Sequence, residues 1–392
     1  MRPINKKLLT AGLAGATLLA ATSAHSVTIG TFDNTTVKIG GYIKLDTMFS
    51  NFSEGPVGTG IGRDFYVPSI TPVSSAATSN ENTYFDMHAR QTRIHLGTDS
   101  KVGEHKLKSY FELDFMATPN GDERLTNGYS PELRHAFIEY DNWLFGQTWS
   151  TFQNTASLPE SVDFVGNTDA GIFIRQPQIR YTSGNFQFSI ENPETTVTDG
   201  GRVIADDNEL PDIVGRYNLK SDNLSLATAV LLRRLTYNTT GTGGGTIDDS
   251  ESAYGISITG KYMLGKDDIR FGINTGSGMG RYIGLNVANG AIVNGNDKLE
   301  AIDSTGLFAS YRHLWNKKWR SNFIYSRVDI DNNTALSGNG VTKASYSTRL
   351  NLFYSATDKL SFGGEYSHAN RETENGADGN LDRLQFSAKL AF

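Results

Sequence analysis

The sequence predicts an all-β fold: a transmembrane antiparallel β-barrel of about sixteen strands, with long loops at one end and short turns at the other. Three observations carry that reading. Polarity alternates with a period of two along nearly the whole chain, connections alternate between short and long, and the N-terminus has the layout of an export signal.

The N-terminus comes first. Arg2, Lys6 and Lys7 give a basic start, LLTAGLAGATLLAA follows, and the small residues of TSAHS close the segment. That is the three-part plan of a secretory signal, with a small residue at the cut after either Ala24 or Ser26. Residues 1–26 are therefore read as a signal peptide and 27–392 as one barrel domain. The apolar stretch is short and rich in Ala and Gly, and no later run approaches about 18 apolar residues, the length of a membrane helix. Any crossing of a membrane falls to strands.

Composition narrows the class. Hydrophobic residues make up 38%, with 41 Gly, 17 Tyr and 21 Phe, which suits a barrel with a watery interior and aromatic girdles. Loss of Arg2, Lys6 and Lys7 with the signal takes the formal net charge from −6 to −9, against a nucleic-acid partner. Cys is 0, which excludes disulfides and thiolate metal sites, and no cofactor or metal is expected. Stability then rests on the backbone ladder.

The strands follow in order. Val37, Ile39, Gly41, Ile43 and Leu45 alternate with Lys38, Gly40, Tyr42, Lys44 and Asp46. Phe111, Leu113 and Phe115 alternate with Tyr110, Glu112 and Asp114, and Phe186, Phe188 and Ile190 with Gln187, Ser189 and Glu191. Tyr254, Ile256 and Ile258 alternate with Gly255, Ser257 and Thr259; Leu360, Phe362 and Tyr366 face away from Ser361, Gly363 and Glu365. In Glu132–Tyr140 both faces are mixed, and Arg134 and His135 are assigned to neither. The last strand reads Leu384, Phe386, Ala388, Leu390, Phe392 on one face and Arg383, Gln385, Ser387, Lys389 on the other. Its terminal aromatic, with Leu390 and Phe386, resembles the signal by which barrel-assembly machinery recognises such chains.

Short turns are expected near Ser100–His105, Asp141–Asn142, Ser183–Gly184, Lys220–Asn223, Leu264–Asp267, Asn316–Lys318 and Ala356–Lys359. Long polar stretches lie near Ser50–Asn82, Thr118–Ser130, Thr151–Phe173, Pro193–Leu210, Tyr237–Ser252, Ser277–Lys298, Asp329–Lys343 and Ala369–Asn380. Short periplasmic turns and long outer loops are the pattern of an outer-membrane barrel, which would meet outer-membrane lipid and lipopolysaccharide. About sixteen strands leaves an aqueous channel. Trp143, Trp149, Trp315, Trp319, Tyr262, Tyr311, Tyr325 and Tyr354 cluster at strand ends, where interfacial girdles sit.

Extending the alternation places Lys44, Arg93, Lys108, Arg180, Arg216, Arg233, Arg270, Arg312, Arg320 and Arg349 on the water face, with Lys261, Arg383 and Lys389. Fewer acids share it: Asp46, Glu112, Asp114, Glu191, Asp212 and Glu365. A cationic lumen in an acidic chain is expected to favour small anions, because rings of Arg and Lys select them. Residues 151–173 are expected to fold inward as a constriction loop, its Glu160, Asp163 and Asp169 facing the basic wall across the gap.

The runs VKIGGYIKLDTMF, FDMHARQTRIHLGT, LRHAFIEYDNWLFGQTWSTF and IRQPQIRYTSGNFQFSIENP resemble the DcaP-type trimeric outer-membrane porins. FGQTWSTF, placed before the long third loop, is the most specific part. The resemblance implies a sixteen-stranded homotrimer that takes up small anions such as dicarboxylates, with Arg93 and Arg180 on the pore wall. Some members carry a periplasmic coiled coil before the first strand; here only Val27–Thr36 separate signal from barrel, so trimer contacts would come from walls and loops.

Three other classes stand beside this reading. A general non-selective porin fits the same pattern, and so does a surface adhesin, although no passenger or plug domain is visible. A barrel enzyme fits less well: there is no G-x-S-x-G and no H-E-x-x-H, and His135 is the one candidate partner for a lipid-facing Ser. DIDNNT begins like a calcium loop, but Thr334 replaces the required Gly.

Overall fold

A computed structural model describes residues 26–392 apart from 59, 77–79, 118–120, 123–125, 206 and 241–245. The signal segment, residues 1–25, lies outside the described residues. Sixteen antiparallel strands form one closed sheet. They are β1 (Thr35–Phe52), β2 (Asn82–His88 continued by Arg93–Val102), β3 (His105–Asp114), β4 (Glu132–Tyr140), β5 (Trp143–Trp149), β6 (Arg175–Ser183), β7 (Phe186–Glu191) and β8 (Asp212–Lys220). Then come β9 (Leu224–Thr240), β10 (Thr246–Leu264), β11 (Asp267–Ser277), β12 (Asp303–Leu314), β13 (Trp319–Asp331), β14 (Thr342–Ser355), β15 (Leu360–Thr373) and β16 (Asp378–Ala391).

Each strand pairs with the next, and β16 returns to β1 with Tyr42 opposite Ala391 and Phe52 opposite Leu381. At the foot of this seam Phe392 exchanges two backbone hydrogen bonds with Gly41, at 3.1 and 3.3 Å. Below it a leading strand, Ser26–Phe32, takes over the same edge of β1.

The period-two pattern is what closes the sheet. Ile43, Leu45 and Phe49 are exposed outward while Lys44, Asp46 and Ser50 are buried inward. Leu350 is 59% exposed and Phe386 47%, a costly surface in water but the matching one against lipid. Closure gives each of the sixteen strands a neighbour on both sides, which pairs the backbone groups that would otherwise face lipid.

The mixed face of β4 has a local cause. Glu112 pairs with His135 but Leu113 pairs with Leu133, so Arg134 is the extra residue of a β-bulge. Both Arg134 and His135 therefore turn inward and are buried. His135 donates to or accepts from Thr148 Oγ1 at 2.9 Å, away from the lipid side that a barrel lipase would need.

The short turns fall where expected, with positive φ at Gly103 and Gly265 as tight hairpins require. Two of the long stretches are shorter loops than the sequence suggested. Thr239 pairs with Ile247 and Thr240 with Thr246, and β15–β16 pair up to Glu372–Asp378. These hairpins extend past the lipid-facing band, so their outward residues are polar and the strands read as loops.

The outer half of the barrel is narrowed by loops that pack on its inner wall. Loops 53–81 (L1), 150–174 (L3) and 278–302 (L6) enter it. Phe152 and Ile172 of L3 and Met279, Tyr282, Ile283 and Val287 of L6 form one apolar cluster with inward Val214, Leu231, Val328 and Ile330. Thr195–Thr198, Arg202–Ala205, Ala291–Val293 and Leu299–Ala301 make a small sheet that packs on Leu235, Tyr237, Ile247 and Ala253, above that cluster.

Candidate functional site: the basic wall and the third loop

L3 starts where β5 ends and is shaped by its own side chains. Ser150 Oγ accepts from Phe152 N at 3.1 Å, and Asn154 Oδ1 accepts from Ala156 N at 3.2 Å to start a single 3-10 turn, Thr155–Ser157. The loop then crosses to the far wall. Glu365 of β15 takes its tip, accepting from Val162 N (2.9 Å), Asp163 N (3.3 Å) and Ser161 Oγ (2.8 Å). On the return, Ala170 N donates to Ser326 Oγ at 2.9 Å and Asn274 Nδ2 donates to Ala170 O at 2.8 Å.

Two glycines make room for it. A Cβ at Gly306 of β12 would lie 2.8 Å from Ala170 Cα, and one at Gly363 of β15 would lie 2.9 Å from Val162 Cγ2. Both are inward positions. Glycine on the water face of an alternating strand is the sequence signal for such loop seats.

Wall cations reach the loop one strand at a time. Arg180 (β6) donates to Thr151 Oγ1 at 2.7 Å and Trp149 O at 2.5 Å. Arg216 (β8) donates to Gln153 O at 2.7 Å and Asn154 Oδ1 at 3.3 Å. Arg270 (β11) donates to Leu158 O, and Lys44 (β1) to Val162 O at 2.9 Å. Arg320 (β13) grips both oxygens of Glu160 at 2.6–3.0 Å. Most acceptors here are neutral carbonyls, which satisfy the donors without cancelling their charge.

The remaining predicted residues divide into groups. Arg93 lies 3.4 Å from both Glu112 and Asp114, which also bind Arg134 at 2.8 and 2.6 Å. Arg270 and Arg312 share Asp268. Lys108 sits near the turns, 3.4 Å from Glu139. Lys44, Arg233 and Arg349 face inward but are buried, a correction to their reading as pore-lining. Arg233 is occupied by Asp212 and by the carbonyls of Glu194, Gly278 and Met279, because L6 packs against the wall at that height. Arg349 lies under L1 and L3, 3.7 Å from Asp163 and Glu365, with Tyr66 against its guanidinium. Arg180, Arg216, Lys261 and Lys389 make no ion pair among the described residues.

The loop acids are not equivalent. Burial raises the Glu160 carboxyl, but the Arg320 hydrogen bonds and charge outweigh it and hold the group below its ordinary range. Asp163 is buried between Arg349 and Arg383. Asp169 does not face the basic wall: it accepts from Tyr66 (2.7 Å), Ser345 (2.6 Å) and Ser347, and burial pushes its carboxyl up. Tyr66 comes from L1, and nothing in its local sequence marks it.

The model of the DcaP outer membrane protein family matches residues 10–392. The DcaP outer membrane channel of Acinetobacter baumannii is similar in structure, at TM-score 0.77 and 21% identity over 93% of this chain and 100% of that one. The trimer form of Vibrio cholerae OmpT follows at TM-score 0.55 and 12% identity, covering 92% and 100%. An anion-selective porin from Comamonas acidovorans stands at 0.57 and 12%, covering 91% and 100%. No curated protein matches the sequence. A closed sixteen-stranded barrel with this loop arrangement, matched along nearly its whole length, places the chain in the DcaP outer membrane protein family, as an outer-membrane channel of porin fold.

Proposed function

We propose that this channel passes small hydrophilic solutes by diffusion and prefers anions, short dicarboxylates among them, with residues 151–173 as its constriction. The observation that carries the reading is the charge excess below L3. Half-buried Arg180, Arg216, Lys261 and Lys389 face inward without a carboxylate partner among the described residues, and Arg270 and Arg312 share one. Guanidinium groups hold their charge and match carboxylates in two-point contacts. Two such groups spaced along one wall suit a solute with a carboxylate at each end. The anion-selective Comamonas porin of similar fold is consistent with this.

A homotrimer is part of the proposal. β5 has 7 residues and β7 has 6. A strand needs about 9–11 residues to cross the hydrocarbon layer. The wall there is too low for lipid alone, and two further copies would cover it, as the trimer form of OmpT suggests. The chain would reach the outer membrane of a Gram-negative bacterium after signal cleavage near Ala24 or Ser26.

Reversal potentials in a salt gradient across a planar bilayer test the selectivity. Anion preference is expected; cation preference in the unmodified protein would reject it while leaving the channel itself in place.

A further inference from the structure

The lipid-facing wall of β13–β16 carries a feature that conduction does not use. One row of outward residues alternates small and large: Ser321 opposite Leu352, Leu352 opposite Gly364, Gly364 opposite Phe386. The row toward the loops is large throughout, Phe323, Leu350, Tyr366 and Leu384. The row toward the turns begins with Trp319, Tyr354 and Phe362. The dips over Ser321 and Gly364 join into an apolar groove of about 660 Å³.

The turn end of the groove is marked on both chemical counts. Trp315 folds over it, donating from Nε1 to Ser321 Oγ at 3.0 Å, and Trp319 packs on Tyr354 with ring centroids 4.7 Å apart. Indole rings of this kind sit at the headgroup level of a bilayer. Between the two Trp lie Lys317 and Lys318, and Lys359 lies in the neighbouring turn. All three are exposed, and none makes an ion pair among the described residues. Asp358 is the one acid in these two turns, so the local charge is positive.

We propose that this groove binds a phospholipid with an anionic headgroup from the inner leaflet of the outer membrane. An acyl chain lies along the dip over Ser321 and Gly364, and the phosphate meets Lys317, Lys318 and Lys359 at the rim. Short turns end the strands on the periplasmic side, so the groove lies in the phospholipid leaflet. A second copy of the chain is the poorer occupant. The low wall of β5–β7 lies on the opposite arc of the barrel, and the groove is a channel one chain wide beside free lysines, not a flat face. Basic residues at a membrane surface attract anionic lipid, and a shaped apolar groove adds retention that charge alone does not give.

The test uses the full mature protein in vesicles of equal phosphatidylglycerol and phosphatidylcholine with identical acyl chains. Lipid retained on detergent-extracted protein is then counted by native mass spectrometry. Phosphatidylglycerol is expected to be retained at least tenfold over phosphatidylcholine. Lys317→Gln, Lys318→Gln and Lys359→Gln together should abolish that ratio; they are exposed turn changes that leave the barrel's heat-dependent gel mobility unchanged. Gly364→Leu should cut retention of both lipids by filling the groove; its new Cβ meets the Phe386 ring at an ordinary 3.6 Å. Equal retention of the two lipids, or a ratio that survives the lysine changes, would overturn the proposal. So would copy-to-copy cross-linking through Ser321→Cys, which would place a second chain there.

Discussion

Glu365 is the single residue on which the tip of L3 depends most. Its carboxylate is 2% exposed and accepts from Val162 N, Asp163 N and Ser161 Oγ, besides Asn351 Nδ2 at 2.9 Å. Glu365→Ala removes all of these acceptors and leaves the two loop N–H groups facing a cavity. Hydrogen bonds to a charged group contribute about 1.5–3 kcal/mol each. Two lost at the lower figure weaken the tip's hold by about 3 kcal/mol, roughly a hundredfold in its bound-to-free ratio. L3 stays attached at Arg320–Glu160, at Lys44–Val162 and at Ala170–Ser326, so the tip at 161–163 loosens while the barrel stays closed. Single-channel recording should show larger conductance with added open-channel noise. Glu365→Gln keeps one acceptor oxygen and should fall between the two. The reasoning is refuted if Glu365→Ala leaves conductance and noise unchanged in protein whose heat-dependent gel mobility is normal.

Other outcomes follow from the same contacts. Arg180→Gln with Arg216→Gln should shift reversal potentials toward cations, because neither has a carboxylate partner to be unmasked; no shift would move the selectivity elsewhere. Arg93→Gln should shift them less and lower thermal stability instead, since Glu112 and Asp114 would then share one guanidinium, that of Arg134, in place of two. Glu160 has its carboxyl lowered in the folded state, so its hold on Arg320 is present at neutral pH and lost as pH falls through that depressed value. Conductance should therefore stay flat down to the ordinary glutamate range of about 4.3 and change only below it. Glu160→Gln should remove that acid step, and a step near neutrality would contradict the assignment. Deleting Phe392 removes both backbone hydrogen bonds to Gly41 at the foot of the seam, and outer-membrane levels in cells should fall.

The wall of this protein is written in its sequence because each strand residue has only two choices, lipid or water, and they alternate. Lys44, Arg180 and Arg320 could be assigned inward from neighbours alone, and the turns at Asp141–Asn142 and Ala356–Lys359 follow from where the alternation breaks. A period-two rule fails only where the backbone adds a residue, as at Arg134, or where a polar hairpin leaves the membrane, as at Thr240. What lies within the wall has no such code. That Arg233 and Arg349 are buried while Arg180 and Arg216 are only half-buried depends on how L6, L1 and L3 sit inside the barrel. That in turn depends on contacts between residues far apart in the chain, Val162 on Gly363 and Ala170 on Gly306. Asp169 looked like a gap-facing acid by type and position. It ends against Tyr66, Ser345 and Ser347 because three segments distant in sequence converge there, and only the folded chain brings their hydroxyls to one carboxylate.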